Sequence, residues 1–426
     1  MSNIVNISAA HIATRAGYLR GRPVQKRSSR RRTALIVLLL ALLIGLGVAV
    51  PAGAPSRTAS PSLPSMPSPL AKRAATSPSL QMASPVVSDA RALGIAAGSS
   101  LPGLSDTELA SRLDGIQATG AAWIRLDFDW SLIQPTAPDV FSWTTYDRLV
   151  KDITAHHLTI LAILDYSPAW ARPGDCIDSS QCAPKDSAQF AAFAAAVAHR
   201  YGPQGVHYWE VWNEPNNPSF WKPAANPAQY VQLLQAAYRA LHQADRQAYV
   251  ITGGLSPQAT ADGAYAPYDF LAALYQSGGK GYYDAVGDHP YTFPLSPAAH
   301  EDHAWAQMVA ASHSLRSLMV SEGDGAKKIW ITEFGSPTGG PGPIATLQHP
   351  NLDAHPYVVD QALQAKILTD ALQLYSSYSW AGPLFYYTYQ DSGTDQSTNE
   401  NFFGLMDTQG NPKPAYTVFR NAASQY

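Results

Sequence analysis

No acidic residue precedes Asp89 in this chain of 426 residues, and only two cysteines occur in the whole of it. The missing acids leave the N-terminal stretch purely basic, with eleven Lys and Arg from Arg15 to Arg73. The rest of the chain sets 18 basic residues against 32 acidic ones, a net of −14. A body that acidic repels phosphate backbones, which excludes nucleic acid as a partner despite the basic start. Two cysteines cannot form a cluster, and with no histidine at ligand spacing Cys176 and Cys182 do not make a zinc site. They lie six apart in a loop rich in Pro, Gly, Asp and Ser. A disulfide there would staple an exposed excursion and agree with export, the alternative being two free thiols. His-Glu-x-x-His, a phosphate loop and a glycine-rich nucleotide turn after the first strand are absent too, so no metal, nucleotide or flavin is called for as cofactor.

Charge is also missing from Ala34 to Val50, a run of 17 residues at the short end of what spans a bilayer core. Arg27, Arg30, Arg31 and Arg32 crowd its N-terminal flank. By the positive-inside rule they keep residues 1–33 in the cytoplasm as a basic tail and send the remainder out. The expectation is a single-pass anchor over residues 34–50 with the bulk of the chain outside the cell membrane. A cleaved signal peptide with Ala52-Gly53-Ala54 as its site, hence a secreted protein, is the alternative. Residues 51–88 hold Pro, Ser and Ala without an acid or an aromatic. Such a segment buries no apolar surface and reads as an extended linker. Residues 90–426 form one globular domain.

Within that domain, eight short apolar runs recur: Ala92–Ala97, Trp123–Phe128, Thr159–Leu164, His207–Trp212, Ala248–Thr252, Asp284–Gly287, Lys328–Thr332 and Pro383–Thr388. Helical periodicity fills the intervals, over Ser105–Ala118, Tyr146–His156, Ser187–Tyr201, Ala228–Ala244, Tyr268–Ser277, Ala304–Ser321 and Val358–Tyr375, with Tyr416–Ser424 at the end. Ser105 and Glu108 have the spacing of a capping box. Strict alternation of strand and helix predicts an α/β fold with a parallel sheet, and eight repeats predict closure into a (β/α)8 TIM barrel rather than a doubly wound open sheet.

Barrel enzymes place their chemistry where strands end and loops begin on the C-terminal face. The fourth run ends Trp209-Glu210-Val211-Trp212-Asn213-Glu214-Pro215-Asn216, and the seventh ends Trp330-Ile331-Thr332-Glu333-Phe334-Gly335. Two carboxyls on opposite sides of the mouth are what a glycosidic bond requires: one to protonate the departing oxygen, one to attack or to direct water. Sugar rings also stack their C–H faces on aromatic surfaces. Trp130, Trp170, Trp221, Tyr386 and Tyr389 sit at loop positions suited to that, with Trp170 and Tyr386 the leading candidates. Arg125, on an inward position of the second strand, needs a carboxylate partner, and Glu210 is one choice.

Asn213-Glu214-Pro215 and Thr332-Glu333-Phe334-Gly335 resemble the marks of glycoside hydrolase clan A. Trp-Glu-Val-Trp-Asn-Glu-Pro-Asn, Asp165-Tyr166-Ser167-Pro168-Ala169-Trp170-Ala171 and the segment Asn401–Phe419 look most like family 39, with the cellulase-like family 5 second. The resemblance implies a retaining O-glycosyl hydrolase acting on an oligo- or polysaccharide, with Glu214 as acid/base and Glu333 as nucleophile. Asn213 would meet the sugar 2-hydroxyl and Arg125 would hold the nucleophile ionised. The His289-Pro290-Tyr291 turn matches the clan's His-x-Tyr, with His289 lining the subsite and Tyr291 donating to the nucleophile. Phe385-Tyr386-Tyr387 departs from the pattern, where tryptophan is common. A transglycosylase would use the same two glutamates, and a membrane-tethered carbohydrate-binding protein would keep the barrel without useful turnover.

Overall fold

The computed structural model describes residues 90–349 and 358–426. The expected tail, anchor and linker over residues 1–88 lie outside the described residues. Among those described, no helix is long and apolar enough to cross a membrane.

Eight strands, β1 (Leu93–Gly98), β2 (Trp123–Asp129), β3 (Thr159–Asp165), β4 (Tyr208–Val211), β5 (Tyr249–Thr252), β6 (Ala285–Asp288), β7 (Lys328–Phe334) and β8 (Ala381–Tyr387), pair in chain order and close into a parallel barrel. Each expected strand is present, its ends within two residues of the expectation. Between them run α1 (Asp106–Ala118), α2 (Thr144–Ala155), α3 (Ser187–Tyr201), α4 (Pro227–Ala244), α5 (Pro267–Gln276), α6 (Ala304–Val309), α7 (Leu315–Ser321) and α8 (Gln361–Ser377), and α9 (Pro414–Ala423) ends the chain. The Ser105–Glu108 capping box opens α1, each partner satisfying the other's backbone N–H.

Two helical expectations are corrected. Ala304–Ser321 is broken between α6 and α7, because Ser314 accepts from Ser317 N–H in a capping box of its own and starts a second helix. Val358–Tyr375 begins three residues later: Val358–Val359 pairs with Ile344–Ala345, as β-branched residues favour, and Asp360 caps α8.

One residue from every strand builds the barrel floor: Ala96, Trp123, Leu161, Tyr208, Ile251, Ala285, Trp330 and Phe385. The rings meet mostly edge to face, with Trp123 centroids 4.5 Å from Tyr208 and 5.4 Å from Trp330. Gly382 makes room for this layer, since a Cβ there would lie 2.3 Å from the Trp330 ring. Alternation then decides what stands above the floor. On β2, Arg125 and Asp127 follow Trp123 inward; on β3, Ile163 and Asp165 follow Leu161; on β4, Glu210 follows Tyr208. Trp209, Val211, Ile329 and Ile331 point the other way, into the apolar layer under the helices.

Candidate active site

Strict alternation along β7 would turn Glu333 outward with Ile329 and Ile331. An irregularity prevents it: Ile331 is paired with Leu384 but Phe334 with Tyr386, so three steps on β7 face two on β8. This bulge re-aims Glu333 into the mouth, a known use of an extra residue in a strand. On the other side, β4 stops at Val211. Trp212 and Glu214 then adopt left-handed backbone, with φ of 69° and 45°. Non-glycine residues in that region are held there by their surroundings, and such strain collects at functional sites. Here the turn buries the Trp212 ring against Trp221 and brings Asn213 and Glu214 to the rim.

One oxygen each of Glu214 and Glu333 and a ring nitrogen of His289 lie within 4.8 Å of one another. Both carboxylate oxygens of Glu333 have a partner. Its Oε1 accepts from Arg125 Nη1 at 2.6 Å, and its Oε2 accepts from the Tyr291 hydroxyl at 2.8 Å. Arg125, fully buried, also gives Nε and Nη2 to Glu210 at 2.6 and 2.9 Å, and Nη2 to Asn213 Oδ1 at 3.0 Å. Glu210 in turn accepts from Gly254 N–H at 2.8 Å. Gly254 is required at that approach, because a Cβ would fall 2.1 Å from His289 Nε2. The guanidinium thus satisfies both expected partners at once, the deep Glu210 and the rim Glu333.

At Glu214, Asn217 Nδ2 donates to Oε2 at 2.8 Å, and His289 Nδ1 pairs with Oε1 at 3.1 Å. Burial would lower the pKa of Arg125, but Glu210 and Glu333 outweigh it and keep the guanidinium charged. Burial, reinforced by the Glu333 charge, drives the Tyr291 hydroxyl well above its ordinary value, so it remains a donor. Burial also pushes Asp127 up to about 7, against the opposing pull of Arg125. Glu214, His289 and Glu333 have the chemistry to ligate a cation, but both Glu333 oxygens already accept from Arg125 and Tyr291.

The expected residues Arg125, Asn213, Glu214, His289, Tyr291 and Glu333 therefore converge, while the five aromatic candidates make their contacts elsewhere. Tyr386 points away from the mouth: its ring packs on Phe419 of α9 and is 1% exposed. The alternation on β8 sends Phe385 and Tyr387 inward instead, and the Tyr387 hydroxyl approaches Glu400 Oε2 at 3.4 Å. Trp170 stays half-buried in the loop after β3, its Nε1 bonded to Gln134 O and its ring edge-on to Trp130. Trp130 and Trp221 are wholly enclosed, and Tyr389 lies beneath Arg112 of α1. In their place stand Tyr166, whose ring meets Trp212 edge to face, and Phe403, which packs on Tyr291, Phe293 and Tyr387. Tyr387 was legible from the period of β8, whereas nothing local marks Phe403. Cys176 and Cys182 are joined as a disulfide with Cα atoms 5.9 Å apart.

Comparison with known proteins places this geometry. The model of glycosyl hydrolases family 39 matches residues 185–424, a stretch that includes Glu214, His289, Tyr291 and Glu333 and omits Arg125 and Trp170. A beta-xylosidase of Geobacillus stearothermophilus is 25% identical over 300 residues, which are 66% of this chain and 55% of that protein. Among solved structures, a family 39 glycoside hydrolase from Bacteroides cellulosilyticus WH2 superposes with a TM-score of 0.59 at 22% identity, over 78% of this chain and 63% of that one. A GH5_18 protein from Streptomyces cattleya gives 0.58 at 14% identity, over 79% and 80%. The chain thus spans little more than half of the xylosidase and under two thirds of the Bacteroides structure, and the structural likenesses establish the barrel.

Proposed function

The chain belongs to glycosyl hydrolases family 39, and on that premise we propose that this glycosidase cleaves β-glycosides of an oligo- or polysaccharide with net retention, through a covalent intermediate on Glu333. The observation that carries the reading is the closeness of Glu214 and Glu333, whose oxygens approach within 4.8 Å. Retaining enzymes keep their carboxyls roughly 5–5.5 Å apart, and inverting ones need room for a water between them. Arg125 and Tyr291 support the nucleophile role of Glu333, because two donors on one carboxylate hold it in a fixed orientation. Glu214, across the mouth from that carboxylate, carries the proton to the leaving oxygen, then draws it from water in the second step. Xylose-like glycones are the first to try, since the Geobacillus relative is a beta-xylosidase.

The reading places the domain outside the membrane. In its favour stand the arginine-flanked apolar run over residues 34–50 and the Cys176–Cys182 disulfide, a bond that persists in oxidising compartments.

Azide rescue of Glu214→Ala tests the division of labour. A dinitrophenyl β-glycoside hardly needs the proton, so the intermediate on Glu333 should form and then stall without a base. Azide needs no base and should release a β-glycosyl azide. An α-glycosyl azide would mean that the two roles are reversed or that the enzyme inverts. Absence of rescue in a folded variant would remove Glu214 from the acid/base role.

A further inference from the structure

Above the Arg125 layer, the mouth holds two more carboxyls that the double displacement does not use. Asp127 is the next inward residue of β2. Asp165 ends β3 with the inward parity of Leu161 and Ile163, its register partner being Asp129. Asp129 has local work: its Oδ1 accepts from the backbone and hydroxyl of Ser131 and caps the one-turn helix Trp130–Ile133. Asp165 has none. It is 0% exposed, and neither of its oxygens meets a hydrogen-bond partner among the described residues. A buried carboxyl without donors is costly to the fold, and such groups mark sites where a ligand supplies what the protein omits. Arg125 does not supply it: its guanidinium donates to Glu210, Glu333 and Asn213, and none of these bonds reaches Asp165.

From this pair we infer that the glycone pocket recognises a sugar ring bearing a free ammonium group, held between Asp127 and Asp165. The inference rests on the glycosidase reading above and names its substrate class. Ionised carboxylates only accept hydrogen bonds, and an ammonium offers three donors with no acceptor, together with a second positive charge to set beside that of Arg125. A hydroxyl offers one donor and no charge, so a neutral glycone leaves most of the deficit in place. A uronic acid adds a further carboxylate to Asp127, Asp165, Glu210, Glu214 and Glu333 and is the least suited of the three. Burial and the neighbouring acids raise both Asp127 and Asp165, as expected of carboxyls assembled without their counter-charge. Arg125 links the pair to the catalytic rim: it is the inward residue before Asp127 on β2, and its guanidinium donates to Glu333 and to Asn213, the residue before Glu214. An ammonium at this corner therefore lies on the ring whose bond is cut.

The test is a panel of 4-nitrophenyl β-glycosides in the gluco and galacto series. It carries the parent sugar, its 2-, 3-, 4- and 6-amino-deoxy analogues and the uronic acid. At least one amino analogue should exceed its parent at least tenfold in kcat/KM, with the uronide slowest. Asp127→Asn and Asp165→Asn should each bring that ratio to within about twofold of unity. Parents cleaved as well as every amino analogue would overturn the inference while leaving the glycosidase intact. Calorimetric titration of the full-length wild-type protein with the free amino sugars and with glucose gives a readout independent of turnover. Tighter binding of an amino sugar, lost in Asp165→Asn, supports the pocket even if neither the panel nor 4-nitrophenyl β-xyloside is cleaved, in which case the glycosidase reading is what fails. Amino sugars binding no more tightly than glucose overturn the pocket.

Discussion

The chemistry at the barrel mouth depends on how few donors serve how many carboxyls. Tyr291 gives Glu333 one of its two hydrogen bonds, and a bond to a charged acceptor contributes about 1.5–3 kcal/mol. Tyr291→Phe should therefore lower kcat roughly ten- to hundredfold with little change in melting temperature. An unchanged kcat would release Tyr291 from the supporting role. Asp127 carries a different consequence. Burial first, then Asp129 and Glu333, hold its folded pKa at about 7 against the pull of Arg125. The unfolded value is about 3.9. The folded state thus retains a proton that the unfolded chain releases, a contribution fully present below about pH 4 and lost as pH rises through 7. Asp127→Asn removes this term, so its melting temperature should gain on that of the wild type between about pH 4.5 and pH 8. A difference that stays constant over this window would show that Asp127 titrates as an ordinary exposed acid.

At the scale of elements, the catalytic geometry is set by departures from regularity. The bulge in β7 turns Glu333 inward, and the left-handed turn after β4 lifts Glu214 to the rim. Behind them the segment after β8 is pinned by Lys413, whose Nζ reaches Asp391 Oδ1 at 2.7 Å, Thr338 Oγ1 at 2.8 Å and the Phe402 carbonyl at 3.1 Å. This cluster ties the loop after β7 to the approach of α9 and seats Phe403 against Tyr291. Both charges are nearly enclosed, with side-chain exposures of 2% and 6%. Lys413→Met should cost about 3–5 kcal/mol, because it leaves Asp391 buried and uncompensated. Chemical denaturation will measure it. A cost near zero would mean that water reaches Asp391 and that the segment is held by its apolar contacts alone.

For the whole molecule, the proposal of an exported, anchored enzyme is tested by fractionating cells that express all 426 residues. The full-length chain should sediment with membranes and be digested by protease added to intact cells, and removal of residues 1–50 should shift activity to the soluble fraction. A soluble product whose N-terminus lies just after Ala54 would instead establish a cleaved signal. Much of the domain was legible before any coordinates: eight apolar runs in alternation with amphipathic helices leave a parallel sheet little choice but to close, and Asn213-Glu214-Pro215 at one strand end with Glu333 at another names a reaction. Strand parity also foretold that Arg125 and Glu210 share the interior, since alternation is a local property of extended backbone. Parity failed where the backbone stops alternating. It would have turned Glu333 outward, and the choice of Tyr386 over Tyr387 set aside the inward phase of β8. The composition of the mouth was beyond local reading as well, because Asp127, Asp165, Tyr166 and Phe403 come from separate strands and loops. Their meeting depends on the barrel's closure, which brings residues distant in sequence to one rim. The sequence by itself determined the architecture and singled out the proposed pair Glu214 and Glu333, through periodicity and residue chemistry. Which carboxyls face each other, and which are left without donors, only the tertiary structure decided, because burial and hydrogen bonding belong to the packed chain.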